Sequence, residues 1–238
     1  MIRPVGRAAV CIDLLMECNM CDKKRRLLSE KMLLRMRLPR GYWESNLNAI
    51  PDDFLHKKYI VNYLHKIDKA VETGTGLLLW GNNDTGKTGI AAVISKEVRR
   101  NEYSVLFLTS QQYLSACDSN CVYDDSFTVL QRAHNVDFLV LDDLGKETAK
   151  YGNSQGDGSS VAVSVARKME DLIRTRQSEC RSTVVTTNLN PSAILKRYGK
   201  SFINLFKQRF CVIEVVSNYS WREKANNVSN IGGNNGGS

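Results

Sequence analysis

WGNNDTGKTG, from Trp80 to Gly89, follows the apolar run GLLLW and sets two glycines, a lysine and a threonine at fixed separations. Gly81, Gly86, Lys87 and Thr88 satisfy G-x-x-x-x-G-K-[ST] at every fixed position, the P-loop signature. The physical reading is direct. A strand ends at Trp80, and the chain turns through Gly81, Asn82, Asn83, Asp84, Thr85 and Gly86 so that backbone N–H groups line a concavity. A helix N-terminus at Lys87–Gly89 caps it, and such a nest binds phosphate. Lys87 is placed to reach the β- and γ-phosphates of ATP, and the Thr88 hydroxyl to hold a magnesium ion bridging them. The helix continues to about Arg100, and its small run GIAA lets it pack closely on a sheet. Asp84 is unusual, because a carboxylate near phosphates weakens binding unless it points outward; aspartate does tolerate positive φ.

The rest of the chain bounds the answer. Its 238 residues, 42% hydrophobic and 24% charged, suffice for a full core, and the length suits one domain with an appendage. No apolar run reaches the ~20 residues of a membrane span. The early segment AAVCIDLLMECNMC is interrupted by Asp13 and Glu17, unlike a signal-peptide core, so a cytoplasmic protein without a membrane partner is expected. The net charge of +8 is uneven, with ten Lys/Arg against five Asp/Glu in residues 1–50. KKRR at Lys23–Arg26, then Arg35, Arg37 and Arg40, make a basic arm suited to a nucleic-acid backbone or an acidic protein face. The competing reading is a solvated helix face with Leu27, Leu28, Leu33, Leu34 and Leu38 turned inward.

Seven cysteines in a chain without an export signal point to reduced thiols. Cys18 and Cys21 form C-x-x-C, with Cys11 seven residues earlier, which offers three thiolates for zinc. A structural site needs four ligands and no fourth is local, so free thiols compete with this reading.

Elements follow in a regular order. FLHKKYIVNYLHKIDKAVE (54–72) has helical spacing, then come the strand 76–80, the P-loop and its helix, and the strand 104–109. That strand opens a helix near Gln111, and a third apolar run covers Val136–Gly145. A glycine-rich loop (152–160) precedes an amphipathic helix to about Gln177. The strand 182–188, a helix from Pro191 and the strand 211–216 complete the series. Five alternations make an α/β fold, a parallel five-stranded sheet flanked by helices. The polar, low-complexity end reads as a disordered tail.

Asp142 and Asp143 close the buried run FLVL at the carboxyl edge of the sheet, where α/β proteins assemble their sites. Four apolar residues and two acids are the Walker B pattern: Asp142 to hold magnesium, Asp143 to act as general base toward water. Asn188 ends TVVTTN, where an amide can orient water against a γ-phosphate. This set separates a hydrolase with an additional strand from a nucleoside kinase, which also wants a lid and an acceptor pocket.

GNNDTGKT, VLDDLGKE, TTNLNP and LFKQRF, in that order over residues 51–222, resemble the AAA+ ATPases of the DnaC/DnaI-type helicase loaders and the related IstB-type transposition helpers. The resemblance implies a P-loop NTPase of the additional-strand type, with Asn188 as sensor 1 and Arg209 as a finger reaching a neighbouring subunit's γ-phosphate. Arg222, after the last strand, matches a final arginine of the family near the nucleotide. About two dozen residues follow Val216, so no C-terminal helical lid is expected, as in loaders and IstB-type helpers. Asp143 stands where many AAA+ proteins use glutamate.

The expected organisation is a basic partner-binding segment (1–50), an ATPase domain (51–222) and a tail (223–238). The expected function is ATP-dependent loading of a hexameric replicative helicase onto single-stranded DNA, with self-association through Arg209. Lys196, Arg197 and Lys200, with Tyr198, are read either as a surface for single strands, by charge plus stacking, or as an exposed helix face. A transposition helper is the alternative within the fold. A nucleotide-gated interaction protein with little turnover is the alternative of another class.

Overall fold

The computed structural model describes residues 29–47, 50, 56–118, 125–147 and 158–216. The chain divides into two compact units, Met1–Arg35 and Met36–Ser238. In the first, residues 29–35 form helix α1, with Leu33 buried and Leu34 exposed rather than turned inward. KKRR lies outside the described residues.

The second unit holds α2 (Lys57–His65), α3 (Ile67–Thr73), β1 (Gly76–Trp80), α4 (Lys87–Arg100), β2 (Val105–Thr109), α5 (Ser110–Asp118), α6 (Asp125–Asn135), β3 (Phe138–Leu144), α7 (Gly158–Ser178), β4 (Ser182–Thr187), α8 (Pro191–Arg209) and β5 (Phe210–Glu214). The helix expected over 54–72 is two helices. Lys66 departs from helical geometry (φ −110°, ψ 26°), and each half buries its own apolar pair, Ile60 with Tyr63 and Ile67 with Ala70. Helix α7 starts at Gly158, inside the stretch read as a loop to residue 160, and α6 was not foreseen.

All five strands are parallel, in the order β2-β3-β4-β1-β5. β4 therefore stands between the P-loop strand β1 and the acidic strand β3. β1, β2 and the FLVL run of β3 read as continuous apolar runs because both of their faces are covered, whereas the edge strand β5 is largely exposed. On one face Leu78, Leu106, Leu139, Leu141 and Val185 pack with Met169, Leu172, Ile173 and Phe202. On the other, α4 buries Ile90, Ala91, Ala92, Ile94 and Val98. Tyr198, Phe202, Phe206 and Phe210 form a ladder of rings with centroids 4.6, 5.2 and 4.8 Å apart. Each buried ring contributes about 1.5–3 kcal/mol, enough to hold α8 to the sheet across its break at Gly199.

Residues 36–45, counted above with the basic arm, pack on this second unit. The Phe107 N–H on edge strand β2 donates to the Met36 carbonyl (2.8 Å), which occupies a group that edge strands otherwise leave unpaired. Lys96 Nζ, on α4, donates to the carbonyls of Trp43 (2.7 Å), Tyr42 (3.3 Å) and Ser45. Among the described residues no helix is long and apolar enough to cross a membrane.

Candidate functional site

The P-loop joins β1 to α4, and two of its residues have to be glycine. A Cβ on Gly81 would lie 2.3 Å from the Val215 carbonyl oxygen, and Gly86 caps α4 in the left-handed region (φ 90°, ψ 9°). Asp84 is also left-handed, φ 59°, with its residue exposed. That conformation is why glycine suits the position and why aspartate is tolerated there. Lys87 is 6% exposed, and its Nζ donates to the carbonyls of Gly81 (2.9 Å) and Asn82 and to Thr85 Oγ1 (3.2 Å). Burial, then the charge of Lys146, lowers its pKa to about 8, opposed by Asp143, Asp142 and Asp84. An ammonium disfavoured in this way is one that an anion stabilises.

The acidic strand reaches the loop through a bulge. Leu141 pairs with Val185 and Leu144 with Thr187, so Asp142 and Asp143 together oppose the single residue Thr186. Asp143 takes φ 59° to make this possible, and bulges re-aim side chains in this way. Thr186 holds both acids: its hydroxyl donates to Asp142 Oδ1 (2.5 Å) and accepts from the Asp143 N–H (2.9 Å). Thr88 Oγ1 donates to the same Asp142 carboxylate at 3.1 and 3.3 Å. Asp142 is 4% exposed, and burial raises its pKa against the hydrogen bonds from Thr186 and Thr88. A buried carboxylate facing a hydroxyl, beside a loop shaped for phosphate, fits a magnesium ion bound with nucleotide.

Asn188 follows β4, and its Nδ2 donates to Asn83 Oδ1 in the P-loop at 2.6 Å. Lys87, Thr88, Asp142, Asp143 and Asn188 thus lie at one edge of the sheet. Arg209 lies at the other, where β5 begins beside the start of β1. Its Nη1 donates to the Thr73 carbonyl (2.7 Å) and lies 3.2 Å from Cys180 Sγ. Arg222 and Cys11, Cys18 and Cys21 lie outside the described residues.

Three features escaped the sequence reading. Thr186 looks like an ordinary strand residue, and only the bulge gives it two acids to hold. Glu147, its side chain 1% exposed, accepts from the Gly145 N–H (2.9 Å), Tyr198 OH (2.9 and 2.8 Å) and Arg197 Nη2 (3.0 Å). This corrects the reading of Tyr198 as a base-stacking residue: it is 5% exposed and spent on Glu147, and Arg197 is drawn to the same carboxylate. Arg176, fully buried in α7, donates to the carbonyls of Ala133, His134, Val136 and Ser182 and to Thr183 Oγ1, tying α6 to β4. Burial pushes its pKa down to about 9.

Neither a family model nor a curated protein matches the sequence. Solved structures match the fold. The DnaC helicase loader aligns with a TM-score of 0.62 at 19% identity, covering 75% of this chain and 100% of that one. DnaI aligns at 0.61 and 19%, covering 76% and 96%. This chain has the AAA+ fold. A putative primosome component from Streptococcus pyogenes serotype M3 aligns at 0.58 and 17%, covering 78% and 95%. The replication initiator DnaA bound to AMPPCP and single-stranded DNA aligns at 0.55 and 15%, covering 81% of this chain and 56% of that one.

Proposed function

We propose that this chain is an ATP-dependent replication protein that loads a hexameric replicative helicase onto single-stranded DNA, hydrolysing ATP to ADP and phosphate. The observation that carries it is the convergence of Lys87, Thr88 with Asp142, Asp143 and Asn188 at one sheet edge, on a fold that aligns with the whole of the DnaC helicase loader. The loop N–H groups and Lys87 hold the phosphate chain. A magnesium ion between Thr88 and Asp142 would neutralise charge on the β- and γ-phosphates. Asn188 positions a water, whose oxygen attacks the γ-phosphorus as its proton passes to Asp143, and the bond to the ADP oxygen breaks. The basic arm is assigned to the helicase.

Asp143→Asn tests the base. The amide cannot take a proton, so nucleotide still binds while turnover falls ~100-fold or more, read by phosphate release at saturating ATP. Unchanged turnover removes Asp143 from that role.

The partner test mixes the full chain with a hexameric replicative helicase or a transposase, with ATP, and isolates complexes by size. A stable complex with the helicase supports loading; one with the transposase alone replaces it with transposition. Affinity for an oligonucleotide is expected to favour the single strand and to fall linearly with salt on logarithmic axes. Tighter duplex binding counts for transposition, and salt-insensitive binding removes DNA from the account. One observation favours a gate with little turnover: Lys146 Nζ lies 2.9 Å from the Asp143 carboxylate that has to accept the proton.

A further inference from the structure

The turn leaving β3 brings a second ammonium to the acids. Lys146 follows Asp143 by three residues, its N–H donates to the Asp143 carbonyl (3.1 Å), and its Nζ pairs with Asp143 Oδ1 at 2.9 Å. Glu147 fastens this turn to α8 through Tyr198 and Arg197. The Lys146 side chain itself remains half exposed. An exposed ion pair three residues apart is ordinarily weak, so its partner is exchangeable. Its surroundings are what set it apart. Asp143 shares the Thr186 hydroxyl with Asp142, whose carboxylate accepts from Thr88 at the head of α4, so Lys146 stands one carboxylate away from the residues that would hold the phosphates and their cation.

We propose that Lys146 exchanges its partner from Asp143 to the terminal phosphate of ATP, and so ties release of the base to the presence of a third phosphate. The inference rests on the proposed ATP-binding reading. A phosphate oxygen carries more charge than one carboxylate oxygen and forms a charge-assisted bond with an ammonium. ADP has no group at that place, so Asp143 stays paired with Lys146. Lys146 thus binds the terminal phosphate and frees the base in one movement, and it gives the chain preference for ATP over ADP.

The test measures ATP and ADP affinity by calorimetry on the full chain with magnesium, for wild type, Lys146→Ala, Lys146→Arg, Asp143→Asn and the Asp143→Asn/Lys146→Ala double variant. Lys146→Ala is expected to weaken ATP about tenfold or more, the scale of one bond to a charged group, while ADP changes less than twofold. Lys146→Arg retains the preference. Asp143→Asn tightens ATP severalfold by releasing the lysine, and does nothing in the Lys146→Ala background. The double-mutant cycle thus shows coupling for ATP and none for ADP. Equal losses for both nucleotides, no loss for either, or an additive cycle for ATP overturns the inference and leaves the P-loop reading standing. Failure of wild type to bind either nucleotide overturns the P-loop reading, and this inference with it.

Discussion

Lys87→Ala is expected to abolish nucleotide binding while the protein stays folded. Among the described residues Lys87 Nζ bonds only to groups of its own loop, Gly81, Asn82 and Thr85, and the core lies in the strands and the helices that cover them. Removing it therefore takes away the ammonium aimed into the phosphate cradle without opening the sheet. Titration with a fluorescent ATP analogue, beside a thermal melt monitored by circular dichroism, checks both halves. Wild-type affinity in the variant refutes the P-loop assignment.

Arg209→Ala is expected to leave ATP binding intact and to cut hydrolysis in the assembled protein by about 10³-fold or more, the contribution of an arginine supplied in trans. The geometry behind this is the length of the sheet. Asp142, Asp143 and the P-loop occupy the carboxyl ends of the strands, and Arg209 occupies the amino end, hydrogen-bonded to Thr73. It cannot serve its own loop. The bond to a carbonyl and the contact with Cys180 Sγ hold an exposed side chain without neutralising it, so it is free to turn to a neighbour's γ-phosphate. Mixing decides the matter. Arg209→Ala and Lys87→Ala are each inactive alone, and together they create interfaces with one intact P-loop and one intact arginine. Turnover recovers with mixing ratio if the arginine acts across the interface. If it does not recover, with assembly confirmed by light scattering, Arg209 is a surface residue.

The P-loop and the strands were legible because each rests on a local pattern. GLLLW and VLFLT are apolar on both sides, the composition of parallel strands buried on both faces, and STVVTT is rich in the β-branched residues that strands favour. Helix α4 ran from Lys87 to Arg100 as expected, since glycine-lysine starts it and Arg99-Arg100 end it. Tyr198 was misplaced because Phe202 and Phe206, four residues apart on one helix face, mark the buried side, while Tyr198 lies across the break at Gly199 and reaches the same ring ladder only through the fold. Helix α6 buries little beyond Val129 and Ala133, too sparse a stripe to read. Arg176 looked like a polar position on an amphipathic helix, and its burial depends on β4 and α6 arriving from elsewhere in the chain. Thr186 was beyond reach, because its role follows from a register shift between strands that no single segment encodes.

That register shift makes chain length, as well as residue identity, a condition of the site. Deleting Leu144 would let β3 and β4 pair evenly, moving Asp143 to the place opposite Thr187 that Leu144 now fills. Asp143 would then enter the apolar layer where Leu144 is 1% exposed, since neighbouring strand positions face opposite sides. Every residue given a role in binding or chemistry would still be in the chain, and Lys87 and Thr88 would be untouched. A single lost residue, with both acids kept, would thus separate grip from chemistry.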